Sequence, residues 1–129
     1  MKNTKNLLRW LALIIFIVFG LLYLNGAASS WWLSWGPPND YPKAWEQESL
    51  RRLGFSLTCL FTGPMLFIAF KENFNFKASK YKYIWLLVVI LSLTFPHIRE
   101  FVLTDSCLDS GGEWSEKYFE CSMSETISK

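Results

Sequence analysis

Residues 11–24 read LALIIFIVFGLLYL, and the uncharged run around them extends from Trp10 to Asn39. Apolar residues here are clustered rather than periodic, so no face of a helix is left for water. A helix rises ~1.5 Å per residue and a bilayer core is ~30 Å thick, so about 20 residues suffice to cross it. Residues 10–30 meet that length. A soluble bundle helix would keep its charges on one face, and this run has none to keep. Trp31, Trp32 and Trp35 follow, where the far headgroup layer falls. An indole is apolar in its ring and polar at its N–H, which suits that layer.

Two further runs have the same character. Residues 53–70 lie between Arg51–Arg52 and Lys71–Glu72. Pro64 within them removes a backbone donor and predicts a kink, which neighbouring helices in a membrane tolerate. The third run, 83–98, lies between Lys80/Lys82 and Arg99–Glu100. Phe101, Val102 and Leu103 predict that its helix continues past Pro96 to about 103. Arg99 is then expected to snorkel at the edge, since an arginine at the bilayer centre costs ~2.5–3.5 kcal/mol. The expected fold is an all-α membrane protein, residues 1–129 forming one membrane domain. It has three transmembrane helices, over residues 10–30, 53–70 and 83–103, and a small disulfide-stapled C-terminal hairpin. An outer loop is expected over 31–52, an inner loop over 71–82 and an outer tail over 104–129. An aromatic content of 18% with only 19% charged residues fits this class, and a net charge of +2 is too small to imply nucleic acid.

Orientation follows from charge and cysteine. One side carries Lys2, Lys5, Arg9, Lys71, Lys77, Lys80 and Lys82 against the single acid Glu72. The other carries six basic residues, including Arg51–Arg52, and the remaining ten acids. Positive residues prefer the cytoplasm, which places the N-terminus inside. Glu48 stands four residues before Arg52 and can pair with it on a helix turn. Cys107 and Cys121, fourteen positions apart in a hydrophilic tail, can pair in an oxidising compartment. Closing a loop of ~15 residues is worth about 3 kcal/mol in the chain-entropy model. Cys59 lies within the second run and reads as a small buried apolar residue. The alternative is a signal peptide, with Lys2, Lys5 and Arg9 as its basic region and Gly26–Ala27–Ala28 as its cleavage site.

The exposed segments carry fewer signals. Gly36–Pro37–Pro38 predicts a turn. Asn39 or Asp40 then caps a short helix with Pro42 in its first turn, Glu46 and Glu48 near its N-terminus and Trp45 anchoring it to the membrane surface. Four Lys among residues 71–82 predict contact with anionic lipid heads. In the tail, Gly111–Gly112 favours a tight turn, and Trp114, Tyr118 and Phe119 read as a short strand folding back over the disulfide. The exposed acids Glu113, Glu116 and Glu120, with Trp114 and the cluster Trp31, Trp32 and Trp35, are the candidate partner-binding residues.

The tail pattern D-x-C-L-D-x-G-G-x-W, from Asp105 to Trp114, is followed by Cys121. It resembles a signature of many small bacterial exported and inner-membrane proteins, some of which look like immunity proteins against contact-dependent or secreted toxins. The resemblance covers residues 105–121 and implies a stapled turn.

Catalytic chemistry has little to draw on. His97 is the one histidine, placed to pair with Glu100. Cys-x-x-Cys, a phosphate-binding glycine loop and a serine with a same-side His–Asp pair are all missing. Asp105, Asp109 and Glu113 have oxygen ligands to offer, but the glycines are not spaced as in a calcium loop. No cofactor or metal is expected. The expected function is therefore non-enzymatic: an inner-membrane interaction protein, most specifically an immunity protein against a membrane- or periplasm-acting toxin. The alternatives are an accessory subunit of a membrane complex and a phage-type holin. A three-span holin usually has its N-terminus outside, opposite to this charge pattern. The expected partners are the lipid bilayer and a protein.

Overall fold

A computed structural model describes residues 2–36, 40–70 and 81–123. Three helices follow one another: α1, Lys2–Trp35; α2, Pro42–Ala69; and α3, Tyr81–Asp109. Two three-residue strands close the chain, β1 at Glu113–Ser115 and β2 at Glu120–Ser122. Each helix is long and apolar enough to cross a membrane.

All three helices overrun the expected spans. The segment 31–52 is mostly not a loop: α1 continues through the Trp cluster, and α2 begins at Pro42. The proline stands at the helix start, where its missing N–H costs nothing. Tyr41 occupies the cap position and makes no capping hydrogen bond through its side chain, so Asp40 is not the cap, and Asn39 lies outside the described residues. The short helix expected from Pro42 is the first third of α2 and runs on into the second apolar run. Its charged turn is held by Glu48 and Arg52, whose Oε1 and Nε are 2.8 Å apart. Likewise α3 runs beyond 103 to Asp109, so the tail begins as helix. The expected inner loop lies outside the described residues except for Tyr81 and Lys82, which open α3.

Packing is organised around α2. Ser49, Ser56 and Gly63 meet α1, at Ala27, Gly20 and Phe16 respectively. Gln47, Arg51, Gly54 and Thr62 meet α3, at Pro96, Glu100, Ser92 and Trp85. Both sets recur at spacings of about one or two helical turns, and each traces one stripe. The stripes are offset by two residues, about 200° round a helix of 3.6 residues per turn. Accordingly α1 and α3 flank α2 on opposite sides, both antiparallel to it, and the three helices form a row.

The row inverts the usual soluble arrangement. Its fully buried side chains are Ser30 and Ser56, whereas Leu22, Leu87, Ile98 and Phe101 are exposed. Small residues let backbones approach, and the hydroxyls then bond across. Ser56 Oγ donates to Gly20 O and Ser49 Oγ to Ala27 O, both at 2.8 Å. Such interhelical bonds contribute ~0.6–2 kcal/mol each in membranes. Of the Gly26–Ala27–Ala28 stretch, Ala27 thus lies inside a packed seam, 4% exposed, while Ala28 is exposed.

The α2–α3 seam depends on a proline and a glycine together. Pro96 has no N–H, so the Ser92 carbonyl one turn earlier loses its helical donor. That carbonyl faces Gly54, where any Cβ would collide with the oxygen. Pro96's own carbonyl accepts from Gln47 Nε2 at 2.7 Å. Gly20, Gly54, Gly63 and Ser56 are therefore all used in packing within the chain.

Candidate functional site: a stapled module on the polar ends of two helices

The tail is built outward from the end of α3. Gly111 takes a left-handed φ of 76° and donates to Leu108 O at 3.0 Å, while Gly112 N donates to Cys107 O at 3.0 Å. This bond pair is a Schellman cap, so the two glycines terminate a helix rather than turn a hairpin. Gly112 has a second constraint: a Cβ there would stand 2.5 Å from Cys121 Sγ and 3.1 Å from Cys107 Sγ. The cap and the staple share one crowded point.

Cys107 and Cys121 form the expected disulfide, with Cα atoms 5.6 Å apart. Cys107 is 3% exposed. β1 and β2 pair antiparallel, with Trp114 opposite Cys121 and Ser115 opposite Glu120. Trp114 is in a strand as expected, but Tyr118 and Phe119 lie in the turn between the strands. Phe119 takes a φ of 53°, a costly conformation for a non-glycine residue, about 1–3 kcal/mol. Burial helps to offset that cost. Phe119 is 6% exposed, edge-on to Trp114 at 5.0 Å, with the Arg99 guanidinium 5.8 Å from its ring centre.

The module then docks on the start of α2. Tyr118 stacks on Tyr41 at 5.0 Å, and Lys43 pairs with Glu120 at 3.4 Å. Lys117 sits over both tyrosine rings. A hydrogen bond to Tyr41, together with the phenol charges of Tyr118 and Tyr41, holds its ammonium above the usual lysine range. Between module and helices remains a cleft of about 370 Å³, walled by Lys43, Glu46, Arg99, Trp114 and Phe119 among others.

Beneath the module lies a charged network absent from the sequence reading. Arg51 Nη2 meets Glu100 Oε2 at 2.6 Å, and Arg99 Nη2 meets Glu46 Oε1 at 2.8 Å. Arg99 Nη1 also donates to Gln47 Oε1 at 2.7 Å, and Gln47 is 2% exposed. Charge-assisted bonds of this kind contribute more than neutral ones, ~1.5–3 kcal/mol when shielded. Arg99 is thus tied to α2. Glu100 is engaged by Arg51, and His97 is exposed and makes no ion pair with it. Glu46 and Glu48 serve as arginine partners rather than as charges on a helix N-terminus.

The candidate partner-binding residues fall into two groups. Glu113 and Glu116 are exposed on the module, whereas Glu120 is drawn to Lys43 and Trp114 packs inward on Phe119. Trp31, Trp32 and Trp35 lie on the last turns of α1, with Trp32 and Trp35 each 78% exposed. Trp31 and Trp35 face each other at 6.1 Å. Among the described residues, no three His, Cys, Asp or Glu side chains converge as a metal site would require. Comparison with known protein families, with curated proteins and with solved structures gives no match for this chain.

Proposed function

We propose that the chain is a non-enzymatic, multi-pass inner-membrane protein whose tail recognises a protein partner outside the cytoplasm. Large apolar side chains outward and Ser, Gly and Ala inward support the membrane part of this reading. Each Leu, Ile or Phe left in water forgoes ~1.5–3 kcal/mol of burial, which lipid supplies. Seven basic residues beside the expected inner ends and the tail disulfide support a cytoplasmic N-terminus and an outer tail.

The observation that carries the recognition reading is the fixing of the module. The disulfide, the Tyr41–Tyr118 stack and the Lys43–Glu120 pair hold a unit of fewer than twenty residues in one pose on two helices. A pre-ordered surface loses less entropy on binding than a loose tail. Glu113 and Glu116 on that surface suit a basic partner, attracted faster at low salt. The most specific form of the reading is an immunity protein that stops a toxin at the membrane. The glycine seams are occupied within the chain, so the contact is assigned to the module.

Co-expression with a candidate toxin from a neighbouring gene tests it. Protection is expected, and Glu113→Gln with Glu116→Gln should weaken capture while the disulfide still forms. Equal death with and without the protein refutes immunity. Stable co-purification with a resident membrane complex would make it an accessory subunit instead.

A further inference from the structure

One open-sided pocket lies away from the module. It opens on one face of the helix row, between α1 and α2, and has a volume of about 500 Å³. Ligand pockets commonly measure ~300–1,000 Å³. Its lower wall is apolar: Phe19, Leu22 and Tyr23 from α1 and Phe55 from α2. Tyr23 and Phe55 face each other at 5.7 Å. Its rim is charged: Glu48, Arg51 and Arg52, all from one and a half turns of α2. An apolar trough ending in a charged rim matches an amphiphile lying along the helix axis.

The rim's charges narrow the headgroup. Arg52 Nε donates to Glu48 Oε1 at 2.8 Å, and Arg51 pairs with Glu100 on the far side of α2. Each arginine therefore already has a carboxylate, and a purely anionic head would add uncompensated charge. A phosphate joined to a protonated amine adds none. Arg51 and Arg52 supply donors for phosphate oxygens, and Glu48 supplies an acceptor for the ammonium. Arg51 has a donor to spare: its Nε is buried and has no hydrogen-bond partner among the described residues. A buried donor left unpaired is costly. The Arg51 side chain as a whole is 40% exposed, so its guanidinium can turn toward an acceptor at the rim.

We propose that this pocket binds one phospholipid with an amine-bearing zwitterionic headgroup, its phosphate at Arg51 and Arg52, its ammonium at Glu48 and an acyl chain along Phe19, Leu22 and Phe55. The inference rests on the bilayer-spanning reading but not on the identity of any protein partner. A methylated quaternary ammonium has no N–H to donate to Glu48, so choline lipids are expected to bind less well.

The full chain, purified in mild detergent, is titrated with phosphatidylethanolamine, phosphatidylcholine or phosphatidylglycerol and followed by native mass spectrometry. The ethanolamine lipid is expected to bind about tenfold more tightly than the other two, the equivalent of one charge-assisted bond. Glu48→Gln, which weakens the acceptor for the ammonium, should remove most of the preference over the choline lipid, whereas Arg51→Gln should weaken all three lipids, which share the phosphate. Leu22→Trp, which fills the trough without touching a charge, should weaken all three lipids alike. A lipid-free thermal melt of each variant confirms folding. Equal affinity for the three headgroups overturns the proposal, as does a folded Arg51→Gln protein that binds like the original. Soluble glycerophosphoethanolamine binding as tightly as the lipid would overturn the role of the trough. Alkaline carbonate extraction of cell membranes tests the spanning reading separately: a chain released by carbonate sinks that reading whatever the lipid titration shows.

Discussion

Replacing Gly54 with alanine perturbs one atom at the closest approach of α2 to α3. The new methyl collides with the backbone oxygen of Ser92, which cannot swing aside as a side chain would. The helices must separate, and the separation reaches the bonds within two turns: Gln47 to Pro96 O at 2.7 Å and Arg51 to Glu100 at 2.6 Å. Overpacking of this kind costs about 1–3 kcal/mol, and alanine returns ~1 kcal/mol in helix propensity. With the strained ion pair included, the expected net loss is about 2 kcal/mol, roughly thirtyfold in the folded ratio. Gly26→Ala is the control. Its methyl would meet only the Arg52 side chain, at 3.3 and 3.4 Å, and a flexible side chain can yield. Unfolding of both variants in mild detergent by added dodecyl sulfate, followed by Trp fluorescence, gives the comparison. A Gly54→Ala protein as stable as the original, or less affected than Gly26→Ala, would refute the assignment of this seam.

Three other outcomes are expected. A reporter that works only outside the cytoplasm should be active when fused after Lys129 and silent when placed within residues 71–82; a cytoplasmic C-terminus would reverse the orientation. In thiol labelling of intact cells, Cys107 and Cys121 should react only after reduction and Cys59 slowly throughout. Loss of the staple should cost about 2–4 kcal/mol of module stability, so Cys107→Ala should make the Trp114 region protease-sensitive, and an unchanged digestion pattern would contradict the docking described here.

The three apolar runs were legible because a helix with no charged face has few places to go. Their ends were not. Residues 43–52 hold five acids and bases, and the sequence predicts there only a short helix within an outer loop. They are helical because Glu48 meets Arg52 along the helix while Glu46 and Arg51 are met by α3. Those partners stand some fifty residues away, and composition carries no sign of such a pairing. The same holds for the end of α3, where Thr104, Asp105 and Ser106 looked like tail. In the module, the cysteine spacing and Gly111–Gly112 pointed correctly to a stapled turn. The role of the glycines as a helix cap depends on bonds to Leu108 and Cys107 that residue types alone do not announce. The stacking of Tyr118 on Tyr41 joins segments separated by two helices, and nothing local to either tyrosine marks it.

Because α1 and α3 flank α2 on opposite sides, the molecule has two broad faces and no interior. Three rods laid side by side enclose no lumen, however they tilt. A single copy therefore has nowhere to line a water-filled path with polar groups, and its buried hydroxyls, Ser30, Ser49 and Ser56, are spent on the carbonyls of α1. Passage of an ion or solute through this protein would require several copies to curl the row into a ring. Gly20, Gly54 and Gly63, already covered by Leu60, Ser92 and Phe16, would have no part in closing it.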